Sequence, residues 1–162
     1  MSDSEYAKDA SRKSVNGWAV FLEDAPVSMK SKMMPIVASS VTEAELFAAV
    51  QCAQDMMHTM RILESIGLQI EKPMKLYVDN KGAVDITHNW SVGGRTRHIE
   101  VKQYFLRELK EEGLIEVQWI PNDKMTADVL TKNLSPTEFA KHISSFVSDD
   151  VYGSHEGESV RD

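Results

Sequence analysis

The segment Ser14 to Leu22 reads SVNGWAVFL, an aromatic and β-branched run around a glycine, and predicts a strand. Ala25-Pro26 is a turn signal, and Val27 to Met33 reads as the returning strand of a hairpin, with Pro35 just beyond it. From Ser40 the period changes. Leu46, Val50, Ala53, Met57, Met60 and Leu63 recur every three or four residues and define one face of a long helix. It opens with SSVTEAE, where Thr42 and the acids after it suit a helix start, and Gly67 ends it. Lys75 to Asp79 predicts a strand and Asn80 to Thr87 a short helix. A loop from His88 to Gly94 holds Trp90 and the pair Gly93-Gly94. A second long helix is expected over Thr96 to Glu112, with Ile99, Val101, Tyr104, Phe105, Leu106 and Leu109 apolar and Gly113 as its stop. Leu114 to Ile120 alternates apolar with acidic or polar residues, the pattern of a half-buried strand. Pro121-Asn122 turns the chain, and short helices are expected over Lys124 to Lys132 and Pro136 to Val147.

Asp3 lies in a first, short extended stretch ahead of these elements. A hairpin meander that feeds a helix and then alternates into βαβ units implies an α/β fold. Its sheet is mixed, antiparallel at one side and parallel at the other, with helices on its faces. The 162 residues suffice for one domain, over 1–147. The stretch 148–162 is charged and poor in apolar residues, and is expected to be a disordered acidic tail.

Composition narrows the classes further. A single cysteine, Cys52, excludes an internal disulfide framework and a cysteine zinc cluster, and its helical setting reads as a buried thiol. The histidines show no HxxxH or HExxH spacing. Met56, Met57 and Met60 read as core filler rather than a binding surface. The apolar runs are too short to span a membrane and the polar start is no signal peptide, so no membrane partner and an intracellular, reducing compartment are expected. The net charge of −7 is uneven: the tail holds five acids and one base, hence −4, leaving −3 for the rest. Bases gather at Lys30 and Lys32, then at Arg95, Arg97, Lys102, Arg107 and Lys110, so an acidic chain can still present a basic stripe to phosphates.

The stretch LYVDNKGAVDI poses the chemical question, because a predicted strand ends on the charged Asp79. Two readings stand. Asp79 caps the following helix, or it joins other acids at the carboxyl ends of strands to hold metal ions, where α/β folds place their chemistry. Asp3, Glu45, Asp79 and Asp128 lie on four separate elements, and a mixed sheet with its first and fourth strands adjacent would gather them. Mg²⁺ is hard and prefers carboxylate and water oxygens. A pair of ions roughly 3.5–4 Å apart can activate a water and stabilise the leaving oxygen of a phosphodiester. Spacing alone is not diagnostic in a chain with 25 acids.

The pieces SDSEYAKDASRKSVNGWAVFL, SSVTEAELFAAV, LYVDNKGAVDI, RTRHIEVKQYFLRE and NDKMTADVLTKNL occur in this order. From Ser2 to about Val147 the chain resembles the ribonuclease H domain at the end of copia-type (Pseudoviridae-like) retrotransposon reverse transcriptases. The resemblance implies a ribonuclease H-like fold, with a five-stranded mixed sheet in the order 3-2-1-4-5 flanked by helices. It implies divalent-metal-dependent endonucleolytic hydrolysis of the RNA strand of RNA–DNA hybrids, with two Mg²⁺ (or Mn²⁺) as cofactors. The family's metal-binding acids fall on Asp3, Glu45, Asp79 and Asp128. Glu43 and Asp123 are the nearest rivals for the second and fourth places; Glu43 reads better as a helix-start residue and Asp123 as a turn residue. Many relatives carry a histidine in the loop before the last acid, and here IPNDKMT has none. The polymerase domain of the same polyprotein is the implied protein partner, and a cytoplasmic virus-like particle the implied location. For the hybrid, Asn80 follows a metal ligand and can reach the substrate, Ser40 and Thr42 precede Glu45, and Arg95, Arg97 and Lys102 can hold phosphates, against the alternative of a solvated helix face.

One departure matters. In the family several apolar residues precede the first acid, whereas here only Met1 and Ser2 precede Asp3. The first strand is therefore expected to be truncated at its start, and a catalytically inactive remnant, serving as a nucleic-acid-binding or protein-contact module, stands beside the nuclease. Adding about six residues of alternating polarity before Ser2, enough for an ordinary strand, is expected to raise melting temperature and activity together. Equal melting temperatures for the short and extended chains would sink this expectation.

Overall fold

The chain, seen in a computed structural model, is described over residues 1–6, 13–88 and 97–147, with the side chains of 97–99 excepted. The elements are β1 (Ser2–Glu5), β2 (Val15–Leu22), β3 (Ala25–Met33), α1 (Val41–Ser65), β4 (Met74–Val78), α2 (Lys81–His88), α3 (Arg97–Glu111), β5 (Ile115–Trp119) and α4 (Pro136–Ile143). Two short 3-10 helices, Asn122–Lys124 and Thr126–Leu130, lie between β5 and α4. The loop with Trp90, Gly93, Gly94 and Arg95, and the tail 148–162, lie outside the described residues.

The strands form one sheet in the order β3-β2-β1-β4-β5. β1 and β3 run antiparallel to β2, while β4 runs parallel to β1 and to β5. This is the mixed sheet expected from the element pattern, in the ribonuclease H-like order that the resemblance implied. β1 is short and meets β4 at one register position, Ser2↔Val78.

Strand alternation sends neighbouring side chains to opposite faces, and β2 uses both. Trp18 faces α1, where its indole N–H donates to Asp55 at 3.1 Å. Gly17 and Phe21 face the other way, toward the chain after β5 and toward Phe146, whose ring centroid is 5.6 Å from that of Phe21. The main core lies on the α1 side. Leu46, Cys52, Met56, Met57 and Met60 of α1 pack with Leu76 and Val78 of β4, Ala83 and Ile86 of α2, Leu106 and Leu109 of α3, and Ile115 and Val117 of β5. The expected roles of Cys52 as a buried thiol and of the methionines as filler hold. Among the described residues no helix is long and apolar enough to cross a membrane.

Local chemistry shifts some predicted bounds. α1 is capped by Ser40 rather than Thr42: the Ser40 hydroxyl accepts the Glu43 N–H at 3.1 Å. Glu43 in turn accepts from the Ser39 N–H and hydroxyl at 2.7 and 2.6 Å, which is the helix-start role foreseen for it. The helix expected over Lys124 to Lys132 is instead two 3-10 turns. Met125 leaves helical geometry between them (ψ 89°) and its side chain is fully buried. The last helix stops at Ile143 instead of Val147, and turn bonds from Ser145 and Phe146 to His142 and Ile143 carry Phe146 back to the sheet.

Asp55, 7 % exposed, ties α1 to the hairpin by accepting from Trp18, from Ser28 Oγ at 2.5 Å and from Lys30 Nζ at 2.9 Å. Burial alone would raise its pKa, but these hydrogen bonds and the Lys30 charge hold it below the usual carboxylate range. Lys30 is therefore engaged within the fold rather than part of a free basic stripe. Asp55→Ala leaves the buried Trp18 N–H unpaired and is expected to cost about 1–3 kcal/mol, lowering the melting temperature by several degrees. An unchanged thermal midpoint would refute this.

Candidate metal centre

The parallel pairing of β1 and β4 gathers the acids. One residue beyond the Ser2↔Val78 pair lie Asp3 in β1 and, just past the end of β4, Asp79. Across the sheet Asp3 is paired with Gly17 of β2. Gly17 has no side chain, and the chain after β5 passes over it so closely that a Cβ there would lie 2.6 Å from Thr131 Cγ2 and 2.8 Å from Leu130 Cβ. That approach brings Asp128 of the second 3-10 helix to the other two acids. Carboxylate oxygens of Asp3, Asp79 and Asp128 all lie within 4.8 Å of one another. Asp3 and Asp128 are buried and Asp79 is partly so. Such a set of hard oxygen donors could hold a metal ion.

Glu45, 3 % exposed, enters from α1. Its Oε1 accepts the Ser4 N–H at 3.0 Å, while Oε2 is buried with no hydrogen-bond partner among the described residues. It stands outside the 4.8 Å group, yet it feels the charges of Asp3 and Asp79. Burial first, and then those two neighbours, push its pKa up to about 9. Asp79 is pushed up to about 6, by burial and then by Asp3. Asp128 is raised as well, chiefly by burial, against a hydrogen bond from Lys132 that lowers it. An orphaned buried oxygen and carboxylates forced toward protonation are what an oxygen-ligated cation would relieve, so the residues present fit a divalent metal.

The cap position beside Asp79 is taken by its neighbour. Asn80 caps α2: its Oδ1 accepts the Ala83 N–H at 3.0 Å and its carbonyl the Val84 N–H at 3.1 Å. The Asp79 carboxylate is thus not taken up as the cap. The Asp79 carbonyl is fixed by the Trp119 indole N–H at 2.8 Å. Trp119 is 42 % exposed, with Lys81 Nζ 4.5 Å from the centre of its ring.

Asp123, the rival for the fourth place, sits exposed in the first 3-10 helix, 3.8 Å from Lys141. Of the basic residues singled out, Arg95 lies outside the described residues, as does the side chain of Arg97. Lys102 is not on a solvated helix face. Its ammonium is buried over the ring of Phe47, 4.3 Å from the centroid, with no hydrogen-bond partner among the described residues. Burial lowers its pKa, against Glu43, which raises it.

Sequence reasoning missed four contributors: Gly17, Thr131, Lys132 and Trp119. Thr131 donates a short hydrogen bond to Asp3 Oδ2. Lys132 Nζ reaches Asp3 Oδ1 at 3.2 Å and Asp128 Oδ1 at 2.9 Å. Both lie within the motif ADVLTK, so the motif itself was the available signal.

No protein-family model matches the chain. It is 32 % identical over 139 residues to a retrovirus-related Pol polyprotein from transposon TNT 1-94 of Nicotiana tabacum, covering 85 % of this chain and 10 % of the polyprotein. It is 32 % identical over 144 residues to the retrovirus-related Pol polyprotein from transposon RE1 of Arabidopsis thaliana, covering 88 % and 10 %. The Pol polyprotein from transposon RE2 of the same plant matches at 32 % over 139 residues, covering 85 % and 10 %. The chain thus spans about a tenth of the length of the curated relatives it matches.

The raised carboxylate pKa values set a pH dependence for the metal-free chain. A carboxyl that is harder to ionise folded than unfolded binds more protons in the folded state between its two pKa values, so stability falls as pH rises across that window. For Asp79 the window runs from its ordinary value near 3.8 to about 6. For Glu45 it runs from near 4.5 to about 9. The melting temperature without divalent ions is therefore expected to decline from about pH 5 to pH 9, and Glu45→Gln to flatten most of the decline above pH 6. A melting temperature that rises with pH over this range in wild type would contradict the assignment.

Proposed function

From its 32 % identity to retrovirus-related Pol polyproteins of transposons, we propose that the chain is the ribonuclease H segment of such a polyprotein, a divalent-metal-dependent endonuclease that hydrolyses the RNA strand of RNA–DNA hybrids during reverse transcription. The observation that carries this reading is the convergence of Asp3, Asp79 and Asp128 beside the unpartnered oxygen of Glu45. Scattered as they are in sequence, these acids meet at the carboxyl end of β4 and against β1, where a sheet of this order supports chemistry.

Asp3, Glu45, Asp79 and Asp128 would hold two Mg²⁺, with Mn²⁺ as a substitute. When bound, the ions supply a nucleophilic water at neutral pH and charge stabilisation for the leaving oxygen. The chain's own residues do the positioning. The Ser4 N–H orients Glu45, Thr131 and, in the metal-free chain, Lys132 orient Asp3, and the indole of Trp119 pins the backbone of Asp79. Asn80 uses its side-chain oxygen as the helix cap, and its amide N–H groups are the candidates to meet a ribose hydroxyl across the minor groove. Arg95, Arg97 and Lys102 are the candidates for backbone phosphates; Lys102 would have to leave Phe47 to serve. The polymerase domain of the same polyprotein is the partner that would present the hybrid, and an intracellular virus-like particle the setting.

A second reading draws on the single register position that joins β1 to β4. A central strand held so lightly on one side favours a non-catalytic nucleic-acid-binding or protein-contact module.

Cleavage of a labelled RNA–DNA hybrid at low salt, with Mg²⁺ or Mn²⁺, separates the two. Metal-dependent cutting of the RNA strand is expected from wild type, and its loss in a folded Asp79→Asn variant. No cutting by a well-folded wild type would leave the second reading. Added salt should weaken hybrid binding steeply, because phosphate contacts dominate affinity.

A further inference from the structure

Lys132 is a cation already inside the carboxylate cluster. It is not a surface lysine that happens to lie near an acid: its side chain is 26 % exposed, and its ammonium bridges acids from two elements, Asp3 of β1 at 3.2 Å and Asp128 of the 3-10 turn at 2.9 Å. The bridge is reinforced from the preceding residue, since Thr131 donates to the other oxygen of Asp3. Asp128 and Lys132 are also four residues apart, so one turn of chain offers an acid and its counter-charge to the same spot.

We propose that Lys132 is a built-in counter-cation of this site, which holds Asp3 and Asp128 together in the metal-free chain and must give up those oxygens when a divalent ion binds. The inference rests on the metal-binding reading of the acids given above. Its physical basis is exclusion. The oxygens that Lys132 occupies, Oδ1 of Asp3 and Oδ1 of Asp128, belong to acids whose oxygens cluster tightly enough to share an ion. An ammonium and a divalent ion repel at such a distance and cannot share the same lone pairs. Lys132 is thus a positioning residue with opposite effects on the two states. It stabilises the metal-free site by countering like-charge repulsion, and it lowers affinity for the metal by competing with it. A side chain that merely stabilised the fold would leave intrinsic metal affinity unchanged or higher with the lysine present.

The test is direct metal binding to the whole chain. Lys132→Met keeps the length of the stem and removes the charge. Calorimetric titration with Mn²⁺ is expected to give a dissociation constant about tenfold lower than wild type, while the melting temperature without metal falls. In wild type with ¹⁵N-labelled lysine, the protected ammonium resonance of Lys132 is expected to be lost or shifted on adding Mg²⁺. Should the variant not fold, that wild-type signal alone decides. Equal or weaker Mn²⁺ binding by a folded variant, or an ammonium signal unmoved at saturating Mg²⁺, overturns the inference while leaving the metal site standing. A folded wild type that binds neither ion overturns both, so the two failures are distinguishable.

Discussion

Like charges held close together in a poorly solvated site repel strongly, and this repulsion is the constraint around which the structure is arranged. Asp3, Asp79 and Asp128 are brought within 4.8 Å of one another, with Glu45 near enough to feel two of them. Nothing in the local chemistry of any one segment favours that meeting. It is imposed by the sheet: β1 and β4 run parallel and place Asp3 beside Asp79, and the chain after β5 is drawn down onto Gly17 so that Asp128 joins them. The hydrophobic core between the sheet and α1, α2 and α3 must supply the stability that the acids take away.

Given that cost, the acids are held in different ways, with Lys132 shared between Asp3 and Asp128. Glu45 has one oxygen on the Ser4 N–H and one without a hydrogen bond among the described residues. Asp3 is met by Thr131 and Lys132. Asp79 is fixed through its carbonyl, by Trp119. The adjacent pair Asp79-Asn80 divides the work: the amide takes the helix cap and the acid is spared for the cluster. A carboxylate at that cap would have been partly satisfied by helix N–H groups and less available to a cation.

Periodicity made most of the scaffold legible. The stripe from Leu46 to Met60, the alternation in Leu114 to Ile120 and the βαβ rhythm led to the right elements and a mixed sheet, and the resemblance supplied its order. Asp3, Asp79 and Asp128 were legible as candidates, and the resemblance again made them a set. What escaped were residues whose meaning is wholly tertiary. Gly17 looks like an ordinary strand glycine until another segment crosses it. Asp55 reads as a polar position on a helix until Trp18, Ser28 and Lys30 are folded against it. Lys102 reads as a solvated base until α3 docks it over Phe47. The break at Met125 was missed for a similar reason, because helix propensity does not register a buried anchor in the middle of a turn.

On the proposed reading, the same charges that gather metal oppose the substrate. A hybrid carries a dense line of phosphates, and a bare cluster of acids in a chain of net charge −7 would repel it. Divalent ions at the cluster turn that repulsion into attraction, so metal and hybrid should each raise the affinity of the site for the other, by equal factors. Lys132 softens the bare state without removing it: one ammonium cannot neutralise three carboxylates, and it lies where the ions would go. A site built this way holds nucleic acid weakly until it is loaded, and ties substrate binding to the presence of the ions that the chemistry needs.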